Sequence, residues 1–212
     1  MIKVSDLRAL FGHTSLHKPL YRRVNGDAQE KVPGVRSEKL KFRTRLCAYC
    51  NNARTQAHDK SWEALVAYLR KRNPQIHPGD VVRVAHAFNN GVRPGLLGVH
   101  LYFAKLTGCL VLDGDVPLDT RPLAEAILQN RPHPNLYLSF LALADRRIQR
   151  HAFITPVETI TVGGNLLGAQ WFYVVGRFGV HVTYAKVLHN RKKQVRLWHP
   201  LDSERTIILG GL

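Results

Sequence analysis

Apolar side chains recur at Trp62, Leu65, Val66 and Leu69, the spacing of a helix that buries one stripe. This predicts a helix over about 59–72, with Asp59 or Ser61 as its N-cap and Asn73-Pro74 ending it. The run 95–108 (GLLGVHLYFAKLTG) is apolar on all sides and reads as a buried helix or a buried strand, which periodicity alone does not separate. Residues 109–113 (CLVLD) read as a strand. Residues 119–130 read as a helix capped by Asp119 with Pro122 in its first turn. Strand-like runs follow at 135–143, 157–162, 170–176 and 179–187, with Gly176–Gly179 as a hairpin connection.

Towards the amino terminus the pattern changes. Residues 1–10 fit a short helix or a strand, and 11–36 read as loop with brief extended pieces. Lys39, Lys41, Arg43 and Arg45 then alternate with Leu40, Phe42 and Leu46, which predicts a strand over 39–46 with one basic and one apolar face. His77-Pro78-Gly79-Asp80 is a turn leading into a strand begun by Val81, Val82 and Val84. The expected architecture is α+β, a small basic module at 1–73 followed by a mixed, largely antiparallel domain at 74–212.

Charge sharpens this division. The chain of 212 residues carries a net charge of +16, and such a field points to a polyanionic partner. Residues 1–72 hold sixteen Lys/Arg against six Asp/Glu, whereas 73–212 hold fifteen against nine. Nucleic acid is the leading partner, DNA ahead of RNA, and an anionic membrane surface comes second. Arg191, Lys192 and Lys193 form a second basic cluster suited to phosphate. The start MIKVSDLRAL has no signal-peptide pattern, and no run of 18 apolar residues marks a membrane span. Three cysteines, two of them in one Cys-x-x-Cys, fit a reducing, cytoplasmic compartment.

Cys47-Ala-Tyr-Cys50 places two thiols across one tight turn, half of a zinc site. A redox pair is the rival reading, although no thioredoxin-like βαβ pattern surrounds it. The run Leu46-Cys-Ala-Tyr-Cys-Asn51-Asn52-Ala-Arg54-Thr55 before a helix resembles the second half of the HNH (His-Me finger, treble-clef) nuclease motif, over about residues 13–70. The resemblance implies a treble-clef or ββα-like zinc module that hydrolyses phosphodiesters. Cys47 and Cys50 would then ligate structural Zn²⁺. His17, in His17-Lys-Pro19, would activate water, and Asn51 would stand beside a catalytic Mg²⁺ or Mn²⁺ with Arg54 near the phosphate. His58, with His13 or His17, could complete a Cys2His2 set, but a histidine bound to zinc cannot also activate water. The His-x-Pro spacing and the lack of a first Cys pair depart from the family pattern. The absent first Cys pair and the lack of an obvious middle Asn between Lys39 and Leu46 favour the alternative of a non-catalytic nucleic-acid-binding or assembly protein on the same scaffold. The Cys-x-x-Cys-Asn-Asn run and the upstream His-x-Pro favour the nuclease. The Trp171-Phe172-Tyr173 run and Trp198 could stack bases if exposed. His100, His181 and Cys109 read as core or half-buried residues.

Overall fold

The computed structural model describes residues 2–12, 20–23, 29–44, 46–72, 76–144, 151–186, 197–202 and 205–211. His13, His17, Arg45, Arg191, Lys192 and Lys193, together with Asn73-Pro74, lie outside these residues. The fold is α+β. Helix α1 (Val4–Phe11) precedes a short antiparallel pair, β1 (Leu20–Arg22) and β2 (Glu30–Val32). Helix α2 (Gln56–Lys71), strand β3 (Val81–Arg83), helix α3 (Val92–Asp113) and helix α4 (Arg121–Leu128) follow. The remainder is mostly sheet: β4 (Leu136–Ala142), β5 (Ala152–Ile154), β6 (Glu158–Val162), β7 (Asn165–Val175), β8 (Phe178–Ala185) and β9 (Thr206–Ile208).

The main sheet is antiparallel, in the order β4-β8-β7-β5, with β6 also paired to β7. Strands β7 and β8 are joined across Gly176 and Arg177, and Gly176 supplies the positive φ of +62° that this tight reversal needs. Every residue of β4 is buried, with Trp198 and Gly210 bridged to its outer edge. Leu138 exchanges backbone hydrogen bonds with Trp198 at 2.8 and 3.0 Å, and Gly210 bonds to Phe140 and Ala142. That cover removes an open sheet edge.

Helix α3 lies between this sheet and α2. Phe103 meets Trp171 and Tyr173 on β7, with ring centroids 6.0 and 5.8 Å apart, and the Trp171 indole donates to Thr107 Oγ1 at 3.1 Å. The expected stripe of α2, Trp62, Leu65, Val66 and Leu69, is buried against α3. One continuous core therefore runs across the boundary expected near residue 74. Contact between α2 and α3 is close: a Cβ at Gly98 would stand 2.2 Å from Ser61 Oγ, so position 98 holds a glycine for lack of room.

Several local expectations change. CLVLD at 109–113 is the last turn and a half of α3, not a strand, because its apolar side chains continue the buried surface of a helix already formed. Helix α2 starts at Gln56, ahead of Asp59 and Ser61. Asp59 is thereby released from capping and pairs with Lys105. The N-cap of α4 is Thr120 rather than Asp119. Asp119 stands one residue earlier and accepts from the Arg121 backbone N–H at 3.0 Å, and the Arg121 guanidinium holds its carboxyl down at about 2. The 39–46 strand is replaced by a 3-10 turn at Glu38–Leu40 and irregular chain. Trp171, Tyr173 and Trp198 are buried, and half-buried Phe172 stacks on His181 at 4.3 Å, so these rings serve the core. By length and hydropathy α3 could cross a membrane, yet most of its apolar window is buried inside the protein.

Two buried polar groups tie the layers. Asp6, 1% exposed, accepts from Trp62 Nε1 at 2.9 Å, Arg70 at 2.9 Å and the Tyr173 hydroxyl at 2.8 Å, joining α1, α2 and β7. Three buried histidines interlock further along α3. His100 Nε2 accepts from the His133 backbone N–H at 3.0 Å, and His199 Nε2 donates to the His133 carbonyl, also at 3.0 Å. Burial holds His100 well below its ordinary value and His133 at about 4, with the neighbouring His199 acting in the same direction.

Two predictions follow from these groups. Replacing Asp6 by Ala strands Arg70 and two buried donors. Urea denaturation should show a loss of about 3–5 kcal/mol, against a smaller loss for Asp6→Asn; equal stability of wild type and Asp6→Ala would refute the assignment. His100 and His133 are neutral when folded and regain an ordinary value near 6.5 when unfolded. The unfolded chain thus binds more protons between the two values, so stability is complete above about 6.5 and falls as pH drops towards about 4. The urea midpoint should decline from pH 7 to pH 5, and less steeply in His133→Gln.

A basic cleft beside the Cys-x-x-Cys turn

The chain from Cys47 onward enters α2 without a break in helical sense. Cys50–Arg54 form one π-helical segment, and Asn51 N–H donates to the Cys47 carbonyl at 2.9 Å. Cys50 N–H donates to Cys47 Sγ at 3.2 Å, so this sulfur occupies the place of a capping side chain. Cys47 is exposed and Cys50 half-buried. The Cys50 thiol and nearby backbone N–H groups pull the Cys47 thiol below its ordinary value, and the same contact raises that of Cys50. Thr55 closes the segment by donating its hydroxyl to the Cys50 carbonyl at 2.9 Å.

Beside this turn a cleft of about 970 Å³ opens between α1, residues 36–46, the start of α2 and the middle of α3. Six cations line it: Lys3, Arg8, Arg36, Lys41, Arg43 and Lys105. Three carboxylates oppose them: Glu38, Asp59 and Glu63. Each acid is committed. Lys41 pairs with Glu38, Lys3 reaches Glu63 at 3.4 Å, and Lys105 holds Asp59 at 2.5 Å. Arg8 and Arg36 make no ion pair among the described residues. Both are exposed, so the cleft carries a surplus of three positive charges with two arginines at its rim.

Lys105 is the deepest of these cations, 8% exposed in its side chain. It also donates to Thr55 Oγ1 at 3.2 Å and sits 5.7 Å from the centre of the Tyr102 ring. This ammonium is held by a carboxylate, a hydroxyl and an aromatic face, which offset the cost of burying it. Its signal in the sequence was a single lysine inside an otherwise apolar helix.

Of the residues expected to contact nucleic acid or to act chemically, Lys41, Arg43 and Asn51 share the cleft lining. Arg43 donates to the Asp113 carbonyl, and Thr44 binds the Asp113 carboxylate at 2.9 Å, fastening this wall to the end of α3. Lys39 is instead paired with Glu30, whose carboxyl it holds below the usual range, and Arg54 stacks on exposed Tyr49 at 5.4 Å. Neither lines the cleft. His58 is buried in the first turns of α2, where burial and the charge of Lys105 lower its value. No group of three or more His, Cys, Asp or Glu able to hold a metal ion is present among the described residues. Cys47, Cys50 and His58, three of the expected zinc ligands, therefore form no such group, and His13, with its alternative His17, lies outside the described residues. Lys3, Arg8, Arg36 and Lys105 went unforeseen because they are scattered through the sequence and meet only in the fold. No family model, curated protein or solved structure matches this chain.

Proposed function

We propose that the protein binds nucleic acid, with the phosphodiester backbone running along the cleft. The observation carrying this reading is the excess of cations over carboxylates in one concave surface, with Arg8 and Arg36 exposed at its rim. An arginine fork matches phosphate oxygens in pairs, and a rim position lets it reach a backbone without complete desolvation. The net charge of +16 adds long-range attraction.

A second reading, HNH-type phosphodiester hydrolysis, is favoured by Asn51, which lines the same cleft. The hairpin β1–β2, the Cys47–Cys50 turn and α2 occur in the chain order of a treble-clef module. On this reading Cys47 and Cys50 would contribute two thiolates to a structural Zn²⁺, Asn51 would help to hold Mg²⁺ or Mn²⁺, and His17 would take a proton from the attacking water. The divalent ion would supply stabilisation of the negative charge that develops on the phosphate oxygens.

Binding is tested by fluorescence anisotropy with labelled single-stranded DNA, duplex DNA and RNA across a salt series. Affinity should fall steeply with salt. The double variant Arg8→Ala, Arg36→Ala should bind at least tenfold more weakly and lower the log–log slope by roughly 1.4–1.8, the share of two phosphate contacts. Salt-independent binding, or none, removes the proposal. Hydrolysis is tested on plasmid DNA with Mg²⁺ or Mn²⁺: nicking should be lost in His17→Ala and Asn51→Ala. Unchanged nicking in both variants would assign the cleavage to a contaminant or another site, and absence of nicking alongside intact binding leaves the binder.

A further inference from the structure

Cys47 and Cys50 have a geometry that neither phosphate contact nor core packing uses. They stand three residues apart, Cys47 just ahead of the helical backbone that begins at Ala48 and Cys50 within it, with intervening Tyr49 at φ −63° and ψ −47°. Side chains at this spacing have Cβ atoms about 5–6 Å apart. A disulfide needs about 3.5–4.5 Å between Cβ atoms and 4.4–6.8 Å between Cα atoms, so a small tightening of the turn joins the sulfurs. The Cys50 N–H contact to Cys47 Sγ at 3.2 Å already draws the first sulfur over the second residue. The segment that would tighten contains no buried residue from Cys50 to Arg54. It is also π-helical, a wide turn that keeps one residue in excess of the regular ladder. The two thiols differ in access, Cys47 being exposed and Cys50 half-buried, while Cys109 is on the buried face of α3.

We propose that Cys47 and Cys50 form a reversible intramolecular disulfide by exchange with a small-molecule disulfide of the glutathione class. The exposed Cys47 thiolate attacks one sulfur of the oxidant, forming a mixed disulfide and releasing one glutathione thiolate. The Cys50 thiolate then attacks Cys47 Sγ, forming the protein disulfide and releasing the second glutathione. Two protein thiols are oxidised, one small-molecule disulfide is reduced, and the two protons pass to the released thiolates. The bond spans the turn between Leu46 and Asn51, both of which line the cleft, and so fixes the lip of the basic surface. This inference stands whether or not the cleft binds nucleic acid.

The test uses the full chain, purified under reducing conditions, with its zinc content measured before oxidation. After treatment with oxidised glutathione, thiol titration in denaturant should fall from three thiols per chain to one. The intact mass should drop by two hydrogens, peptide mapping should join Cys47 to Cys50 with Cys109 unmodified, and dithiothreitol should restore all three thiols. Cys50→Ser should stop at a Cys47–glutathione adduct. Persistence of three thiols overturns the proposal, as do glutathione adducts on both cysteines of the wild type or a disulfide that includes Cys109. One zinc ion per chain that protects both thiols from the oxidant also overturns it, and supports the zinc role instead.

Discussion

The carboxylate of Asp6 is the tie on which the arrangement of layers depends. A carboxylate with 1% exposure would be strongly unfavourable alone, and here an indole N–H, a guanidinium and a phenol satisfy it from two other elements. Burial and the Asp6 charge push Tyr173 well above its ordinary value, so its proton stays in the shared hydrogen bond. The same phenol oxygen accepts from the Lys3 backbone N–H at 3.1 Å, which fixes the start of α1. Because Lys3 and Arg8 lie on or next to that helix, one buried anion holds two cations at the edge of the cleft. Stability and the placement of the cleft's cations thus share a single polar node.

The electrostatics of the cleft divide in the same way. Its carboxylates sit against ammoniums and keep them oriented, Asp59 between Lys105 and Lys3 above all. The arginines at the rim are left for solvent or a ligand. An arrangement in which buried Lys105 is matched while exposed Arg8 and Arg36 are not gives attraction to a polyanion without a net buried charge.

Much of this was legible in the chain. The stripe of α2, Pro122 in the first turn of α4, and the β7–β8 hairpin each follow from a local rule that tertiary contacts do not oppose. Residues 39–46 show where local reading fails. Alternating Lys and Arg suggested a strand, but among the described residues no strand pairs with them. Lys39 and Lys41 are held by Glu30 and Glu38, and Arg43 by the end of α3, contacts that a sequence pattern does not display. CLVLD failed for another reason: β-prone residues at the end of a buried helix follow the helix, since packing outweighs intrinsic preference. The cleft was only partly visible. Lys41, Arg43 and Asn51 were within reach, whereas Lys3, Arg8, Arg36 and Lys105 converge from three separate stretches of chain.

The glycine at position 98 has an influence beyond the contact it permits. Helices α2 and α3 touch there, and the same two helices carry Asp59 and Glu63 on one side and Tyr102, Lys105 and Cys109 on the other. Lys105 and Asp59 join those sets across the helix pair, one to two turns from the place where the absence of a methyl group lets the helices meet. A side chain at that point would press on Ser61 and part the helices, so the reach of a nearly buried ion pair depends on a residue that carries no charge.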